Sequence, residues 1–549
     1  MSTEKGFHET TLPPQDDFEV RQQKLAGEVQ YADEHALETG VRPLHQKLKS
    51  RHMQMIAIGG SIGAGLFVGS GGALHRGGPA AVLIGFAITG VMLLMTMQAL
   101  GELAVLYPIN GAFYSYIVRF VSPSWGFANG WEYAIGWLTV LPFELIAASI
   151  TIEFWRDDIH MAVWVTIFLV FLIVVNVFGV RGYGEVEFVL SIIKVIACLG
   201  FIIFGIIVNC GGVPTDDRGY LGFHYWSDPG AFRNGFKGFC SVFVTAAFAF
   251  GGTELVGLAA AEAENPRKSL PTATKQVFWR ITFFYIVSLL IVGIILPSDS
   301  PDLLGASGAN TKASPFVLAI KEAGVKGLPS VFNAVITISV ISVANSCTYG
   351  SSRTMQALAT QGMAPKFLAY VDKHGRPLWC ILIQLAFGLL AYLGEASASG
   401  VIFNWLLALS GLNFLFIWFS INLAHIRFRA GWKYHGFTPE QLPYQASFGV
   451  VGSYIGCFLT AIALVATFYV SVFPLGGSPD VETFFSNFLS GPLILALWIG
   501  WMIYSRDFTL FIKARDMDIT AGVRRGSVEH PSGMEEKKPA WKRALGAFF

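Results

Sequence analysis

The sequence predicts an all-α, polytopic membrane protein with twelve transmembrane helices. Of its 549 residues, 53% are hydrophobic and only 14% are charged, whereas a soluble globular chain carries about 25% charged residues. The mean hydropathy is +0.53. Apolar windows of about 20 residues, long enough to cross a bilayer, recur along the chain. These observations exclude an ordinary soluble domain.

The apolar windows define the domain organisation. A polar N-terminal segment, 1–51, precedes a twelve-span domain at 52–504, and residues 505–549 follow it. Both terminal segments are charged and poor in aliphatic residues, so we expect them to be mostly disordered. The predicted spans are 52–71, 79–106, 125–150, 161–179, 184–208, 236–258, 279–297, 329–350, 378–396, 401–423, 450–473 and 484–504.

An even number of spans places both termini on one side of the membrane. Lys and Arg then decide which side, because short cytoplasmic loops are enriched in them. The loops on the side of the termini include 265–280, 351–377 and 425–433, which are rich in Lys and Arg. We therefore expect both termini in the cytoplasm. We expect no cleavable signal peptide before the first span, so this span should itself direct insertion.

Several other classes of function find no support in the sequence. The net charge of +1 gives no reason to expect a nucleic-acid partner, and the six cysteines lack disulfide or zinc spacing. Neither G-x-x-x-x-G-K-[ST] nor H-E-x-x-H occurs, so neither ATP nor zinc chemistry is indicated and we expect no cofactor.

Lys5 and Lys24 in the N-terminal segment are candidate sites of ubiquitin attachment. The alternative is that these lysines serve only to keep the segment soluble.

The first span contains an unusual glycine-rich stretch, AIGGSIGAGLFVGSGG, at residues 57–72. Glycine inside a helix costs roughly 1 kcal/mol relative to alanine, and three interpretations compete. Gly59–Gly63 matches the G-x-S-x-G elbow of serine hydrolases, but the flanks lack the strand that this elbow requires. The pairs Gly59/Gly63 and Gly65/Gly69 also match the small-xxx-small spacing of tightly packed helices. The third interpretation is an unwound helix that lines a cavity.

The unwound interpretation requires a second break at a corresponding position. Proteins built from inverted repeats place such breaks in both repeats, with the substrate between them. With five spans in each repeat, at about 52–208 and 236–423, the matching span is the sixth. It reads FVTAAFAFGGTELVGLAAAE, and residues 251–254 interrupt it with a carboxylate. The second break therefore favours unwound helices, with the spans at 450–504 as additions to the repeats.

Two facing breaks indicate a ligand that carries both charges. The second half of the first span starts near Gly65 and presents free N–H groups and a positive dipole end, which suit a carboxylate. Carbonyls around 61–63 and 248–251 suit an ammonium group, so the zwitterionic part of an amino acid fits both ends. The Ser61 and Thr253 hydroxyls can supplement either end. The substrate-binding residues expected at the breaks are Ser61, Ile62, Gly63, Ala64, Gly65, Phe250, Gly251 and Thr253.

These motifs resemble the fungal amino acid permeases of the amino acid–polyamine–organocation superfamily, most closely the general amino acid permeases. The resemblance runs from Arg42 to about Lys513. It rests on IAIGGSIGAGLFVGSG, GELAVLYPINGAFYSY, FAFGGTELVGLAAAEAENPRKSLP and GSSRTMQALATQGMAPKFLAYVDKHGRP. It implies a 5+5 inverted-repeat (LeuT-like) core with discontinuous helices 1 and 6 plus two extra helices, a plasma-membrane location, and proton-coupled amino acid uptake without enzymatic activity. The family more often has threonine at the positions of Ser61 and Ala64. Ser61 keeps a hydroxyl group, but Ala64 has none, so residue 64 can offer a ligand only its backbone.

Lys194 is the first candidate for proton coupling. Ten residues from the start of the fifth span place it roughly 15 Å deep, where a charge costs about 2.5–3.5 kcal/mol. The resemblance implies a coupling role, because a lysine on the fifth helix stands where sodium-driven relatives bind a cation. A structural lysine paired with carbonyls of the first span is the alternative.

Two acidic residues inside spans are further candidates. Glu254 follows the sixth-span break and resembles a coupling or pH-sensing glutamate of the superfamily. Glu144 lies on the third span, where coupling and structural bonding to a neighbouring helix both remain open. Glu102, near the end of the second span, is expected to organise a loop.

The resemblance also bears on gating and specificity. Phe248 resembles the aromatic gate that closes over substrate. Gly136 and Val140 fall at positions that help to select side chains in basic amino acid permeases, where polar residues are usual. Because both are non-polar here, we expect neutral or broad amino acid uptake. The expected partners are an amino acid, protons and membrane lipid, and the alternatives are an amino acid-sensing receptor or a proton-independent exchanger of the same fold.

Overall fold

The computed structural model describes residues 48–156, 158–304, 314–372, 375–395 and 399–523. In these residues the chain is helical, and the only β-type pairing found there is an isolated bridge between Leu48 and Ala263. The α-helices are α1 (Ser50–Gly59), α2 (Ser70–Gly77), α3 (Pro79–Leu106), α4 (Ala112–Phe120), α5 (Pro123–Ile152), α6 (Met161–Val177), α7 (Gly179–Asn209), α8 (Gly235–Cys240), α9 (Val242–Phe250), α10 (Leu255–Ala259), α11 (Pro266–Arg280), α12 (Ser288–Ile295), α13 (Pro301–Leu304), α14 (Pro315–Glu322), α15 (Leu328–Thr360), α16 (Leu378–Gly388), α17 (Ser399–Tyr434), α18 (Gly449–Val472), α19 (Val481–Phe488) and α20 (Ser490–Ser505).

All twelve predicted spans overlap helices. Within the described ranges, nine helical segments are long and apolar enough to cross a membrane, and the bent pair α19–α20 makes a tenth. Helix α6 is apolar but shorter, with 17 residues. The first predicted span is divided into α1, a π-helical turn at Gly65–Gly69 and α2. The chain is therefore a multi-pass membrane protein.

Helix α5 lies at the centre of the fold. Pro123 occupies its first turn, and the Ser122 side chain accepts a hydrogen bond from the Trp125 N–H at 3.2 Å, which satisfies a donor of the first turn. Its apolar window is 89% buried, and α5 packs along α15. The window of α18, in contrast, is 33% buried. Helix α5 thus forms part of the core, and α18 presents apolar side chains outward, where lipid can solvate them.

The segment after α20 packs against the helices. The Ile512 N–H donates to the Val121 carbonyl at 2.8 Å, and the Tyr107 hydroxyl donates to the Ile519 carbonyl at 2.7 Å. The sequence predicts disorder from residue 505 onward, but residues 506–523 are fixed because Ile519 and Met517 bury their side chains. Residues 1–47, which include Lys5 and Lys24, and residues 524–549 lie outside the described part.

Candidate functional site

The first predicted break lies between α1 and the π-helical turn at Gly65–Gly69. Helix α1 ends at Gly59, and residues 60–63 form a turn and a bend. Helical bonding resumes as the Phe67 N–H donates to the Gly63 carbonyl at 3.1 Å. The break therefore exposes peptide groups in the middle of an apolar span, as the glycine pattern predicts.

The second predicted break separates α9 from α10. Helix α9 ends at Phe250, α10 begins at Leu255, and the residues between them form turns. Gly252 has φ +91°, a conformation that glycine adopts without the strain that a side chain would create. The glycine at this position is thus required by the backbone of the break.

The two breaks are in direct contact. A Cβ atom placed on Gly252 would lie 2.3 Å from the Gly60 carbonyl oxygen, and one on Gly65 would lie 2.7 Å from the Ala249 Cα. Such distances are far below van der Waals contact. Only glycine allows the two unwound segments to approach so closely, which explains why the chain places helix-weakening residues here.

A small cavity lies between the breaks, and all of the residues that line it are buried. Its volume is about 10 Å³, close to the space needed by a single water molecule. In this conformation the cavity is therefore too small for a ligand larger than a water molecule. The lining residues are Gly60, Ser61, Gly63, Gly65, Trp137, Val140, Glu144, Phe248, Gly251, Val343 and Phe414.

Phe248 occupies the space beside the first break. Its Cδ1 atom would lie 2.9 Å from a Cβ on Gly65, and its ring packs edge-on against Phe143 with centroids 5.1 Å apart. Because this side chain lines the cavity, its rotation would change the volume of the cavity.

Several predicted site residues lie outside the cavity lining. Ile62 and Ala64 are buried beside it, and the Phe250 ring packs against Tyr285 at 4.2 Å. Gly136 faces a neighbouring helix, because a Cβ there would overlap the Asn413 side chain. These residues support the walls of the cavity and do not face its space.

The Thr253 and Ser61 hydroxyls already have protein partners. Thr253 Oγ1 donates to the Phe250 carbonyl at 2.9 Å and accepts from Arg280 at 2.7 Å. The Ser61 hydroxyl bonds to the Tyr285 hydroxyl, which itself donates to the Ala249 carbonyl at 2.8 Å. Side chains therefore satisfy two of the carbonyls released by the sixth-span break, and the lining Gly251 carries the next carbonyl along the chain.

Glu254 fastens the second break to two other helices. Its Oε1 atom accepts from the Tyr133 hydroxyl at 2.8 Å and from the Gly252 N–H at 3.2 Å, and its Oε2 atom accepts from Trp418 at 3.3 Å. All four groups are buried. Glu254 thus holds the turn in place from outside the cavity, a role that the sequence analysis did not anticipate.

Glu144 connects the cavity to a buried charged cluster. Its carboxyl lines the cavity and accepts a hydrogen bond from the Ala64 N–H. Lys194 is fully buried on α7, where its ammonium group interacts electrostatically with the carboxyls of Glu187 and Glu144. The structure thus brings two of the three coupling candidates, Lys194 and Glu144, together, and Glu144 reaches the cavity.

Glu187 is the member of this cluster that sequence reasoning missed. Its carboxyl accepts hydrogen bonds from the Ser342 hydroxyl and, at 3.4 Å, from the Asn345 amide. A signal was available, because Glu187 precedes Lys194 by seven residues, and residues seven apart share a helix face. Trp137 was also missed, although it lies one turn before Val140 on α5.

Glu102 lies on α3, away from the cavity, and its side chain contacts the last turns of α17. It accepts from His425 Nε2 at 2.9 Å and from the Ala446 N–H at 2.7 Å, and it pairs with Arg429 at 2.6 Å. These bonds fix the connection that follows α17.

A comparison with known protein families identifies the family of this chain. The model of the family described as "Amino acid permease" matches residues 52–514. The chain belongs to the amino acid permease family. This assignment confirms the resemblance found in the sequence, and it places the permease among transporters and not in an enzyme class.

Similar curated proteins come from several fungi. The general amino-acid permease GAP1 of Saccharomyces cerevisiae is 51% identical, with 93% of this chain and 87% of the relative covered. The general amino-acid permease GAP2 of Candida albicans is 52% identical, with 90% and 84% covered. The cationic amino acid transporter 1 of Schizosaccharomyces pombe is 53% identical, with 88% and 82% covered.

A solved structure shares the fold at low sequence identity. The crystal structure of the Eremococcus coleocola manganese transporter, in complex with an aromatic bis-isothiourea compound, aligns with a TM-score of 0.53 at 14% identity. The alignment covers 83% of this chain and 93% of that protein. At this identity the likeness concerns the fold alone.

Proposed function

We propose that this permease is a proton-coupled symporter that imports L-amino acids across the plasma membrane. The observation that carries the proposal is the contact between the two helix breaks, with Gly60 and Gly252 apposed. Peptide groups of an apolar span are costly to expose unless they line a site. The family assignment supplies the substrate class.

The two ends of the amino acid would bind different parts of the breaks. The second half of the first span, residues 64–77, begins beside the cavity, and its first N–H groups and positive dipole end favour the carboxylate. The carbonyls of Ser61 and Gly251, both lining residues, would accept hydrogen bonds from the ammonium group. Phe248 would turn away to admit the side chain and return to close the site.

Coupling to protons would reside in Lys194, Glu144 and Glu187. Glu144 is the member that reaches the cavity, so a change of charge in the cluster would be felt where the substrate binds. Glu254 would act by stabilising the break. One charge that moves through 100 mV gains about 2.3 kcal/mol, which corresponds to roughly fifty-fold accumulation.

The walls of the cavity favour neutral or broad specificity. Trp137, Val140, Val343 and Phe414 are apolar, and Glu144 is the acidic residue in the lining. Glu144 accepts a hydrogen bond from the first break, and its carboxyl interacts electrostatically with the Lys194 ammonium group, which would compete with a basic side chain for that carboxyl.

The positions of the two breaks also bear on the architecture of the permease. We propose twelve crossings in a 5+5 inverted-repeat, LeuT-like core at 52–423, with extra helices at 450–504 and both termini in the cytoplasm. The breaks in the first and sixth helical segments have the spacing that five-helix repeats require. The Lys and Arg content of the short loops supports this orientation.

Uptake of a labelled amino acid panel tests the function directly. Cells that express the permease should accumulate neutral amino acids faster at pH 5 than at pH 7, and a protonophore should abolish accumulation. Lys194→Ala should lose accumulation while it retains exchange of internal for external amino acid. Accumulation that persists after the proton gradient collapses would instead identify an exchanger or another driving force.

A further inference from the structure

A second, larger cavity lies beside the end of α2, which faces outward in the proposed orientation. We call the small cavity between the breaks the central cavity, and its lining residues the central site. The volume of the larger cavity is about 390 Å³, which falls within the range of small-molecule sites. It opens beside Asn487, which is exposed. We call this larger cavity the outer cavity, and its lining consists of Arg76, Cys240, Ser241, Val244, Thr245, Thr467, Val470, Ser471, Pro474, Leu475, Thr483, Ser486 and Asn487.

Arg76 provides a positive charge in the outer cavity. Its guanidinium donates to Thr245 Oγ1 at 3.5 Å, and it takes part in none of the ion pairs found in the described ranges. Of the lining residues, none is acidic. Asp480 lies nearby, but its carboxylate caps α19 through the Thr483 N–H at 2.9 Å. The guanidinium therefore has donors available for an anion.

The hydroxyl groups of the outer cavity provide acceptors. Their hydrogens are engaged by backbone carbonyls at 2.7 to 2.9 Å, so their oxygen lone pairs remain to accept a hydrogen bond. The residues concerned are Ser241, Thr467, Ser471 and Ser486. A ligand that presents both an anion and a hydrogen-bond donor suits this lining.

We propose that the outer cavity binds a free amino acid, with its carboxylate on Arg76 and its ammonium group on the hydroxyl oxygens. The inference rests on the proposed function for the identity of the substrate. It assigns a binding step that precedes occupation of the central site. Since the central cavity holds about 10 Å³ in this conformation, the outer cavity can be occupied while the central site is closed.

Thr245 links the two sites. It accepts the hydrogen bond from Arg76 and lies on α9, three residues before Phe248, which is a rise of about 4.5 Å. Its Cγ2 atom would lie 3.2 Å from a Cβ on Gly69. A carboxylate that draws Arg76 away from Thr245 would thus act on the helix that carries Phe248.

The proposal is tested by measuring whether an amino acid protects an introduced cysteine in the outer cavity from chemical modification. Asn487→Cys places a thiol at the mouth of the outer cavity, in a background where Cys210→Ser and Cys240→Ser remove the exposed and the cavity-lining cysteine. L-Leucine should slow modification of the full-length permease by a membrane-impermeant methanethiosulfonate. Ser478→Cys, exposed and outside the lining, should react at the same rate with or without leucine.

The charge of Arg76 should determine this protection. Arg76→Gln should raise the leucine concentration for half-protection about tenfold or more, because charge-assisted hydrogen bonds are lost. Arg76→Lys should retain most of the protection and guards against a folding defect. Lys321→Gln, which removes an exposed charge that pairs with Asp302, should leave protection unchanged.

Ligand analogues separate an amino acid site from a simple anion site. The keto acid 4-methyl-2-oxopentanoate has the carboxylate without the ammonium group and should protect less well than leucine. Equal protection by inorganic phosphate would overturn the proposal and leave a plain oxyanion site. Vesicles of phosphatidylcholine alone exclude an anionic lipid headgroup as the occupant.

Leucine uptake by the same variants distinguishes the two proposals. Uptake without protection would overturn the outer site and leave the transport function intact. Protection without uptake of any amino acid would retain the outer site and contradict the proposed function.

Discussion

Gly252→Ala should disable transport while the protein still folds and reaches the membrane. The new Cβ would lie 2.3 Å from the Gly60 carbonyl oxygen, about 1 Å closer than atoms in contact allow. The φ of +91° adds strain of about 1–3 kcal/mol. The close contact is relieved only if the two breaks separate, and the strain only if the backbone at residue 252 changes its conformation. Because a displacement of about 1 Å can cost on the order of a hundredfold in a positioned site, we expect transport to fall at least tenfold.

Initial rates of labelled amino acid uptake, normalised to the amount of protein at the cell surface, measure this effect. Gly200→Ala is the matched control, because a Cβ on Gly200 would meet nothing within 4 Å. That variant should transport normally, and its helix should gain about 0.5–1 kcal/mol. A wild-type rate for Gly252→Ala would refute the reasoning that contact between the breaks positions the substrate.

Three further predictions concern other parts of the molecule. Glu187→Gln, which can keep hydrogen bonds to Ser342 but not the charge, should reduce accumulation from about fifty-fold toward equality and spare exchange; unchanged accumulation would remove Glu187 from the coupling cluster. Ile519→Asp should release residues 506–523 to limited proteolysis, because it buries an unpaired charge, whereas Thr520→Asp at the exposed neighbour should not. Hydrogen bonds from Arg218 lower the pKa of Asp216 in the folded protein. The stabilisation from this pair is complete at pH values above the ordinary aspartate pKa of about 4. It is lost as the pH falls through the lower pKa of the folded state. Arg218→Ala should therefore lower the melting temperature by about 2 °C or more at pH 7 and pH 5, with a smaller effect near pH 3.

Much of the fold could be predicted because burial in lipid leaves a strong trace in the sequence. Uninterrupted apolar segments mark the spans. The glycines at 60 and 252 and the carboxylate at 254 mark the breaks, since neither residue type is favoured in a lipid-exposed helix. The contrast between these residues and the apolar residues around them was nearly sufficient to predict where the breaks lie.

The details of the site depend on distant parts of the chain and were harder to predict. Thr253 looks like a ligand in the sequence, but Arg280 and the Phe250 carbonyl engage its hydroxyl. Phe414 lines the cavity from α17. Aromatic residues in membrane spans usually pack against other helices, so the sequence did not single out Phe414. The sequence predicts a polar tail at residues 506–523. Only two side chains there, Met517 and Ile519, are buried apolar residues that anchor it, and two apolar residues give only a weak signal in the sequence.

The central claim is that peptide groups of the two breaks bind the two ends of one amino acid. Electron cryomicroscopy of the permease with bound L-leucine measures this directly. We expect the carboxylate within hydrogen-bond distance of the N–H groups near Gly65 and the ammonium group beside the carbonyls of Ser61 and Gly251. Leucine bound with neither end on the breaks, or continuous α-helical bonding through residues 60–63 and 251–254, would contradict it.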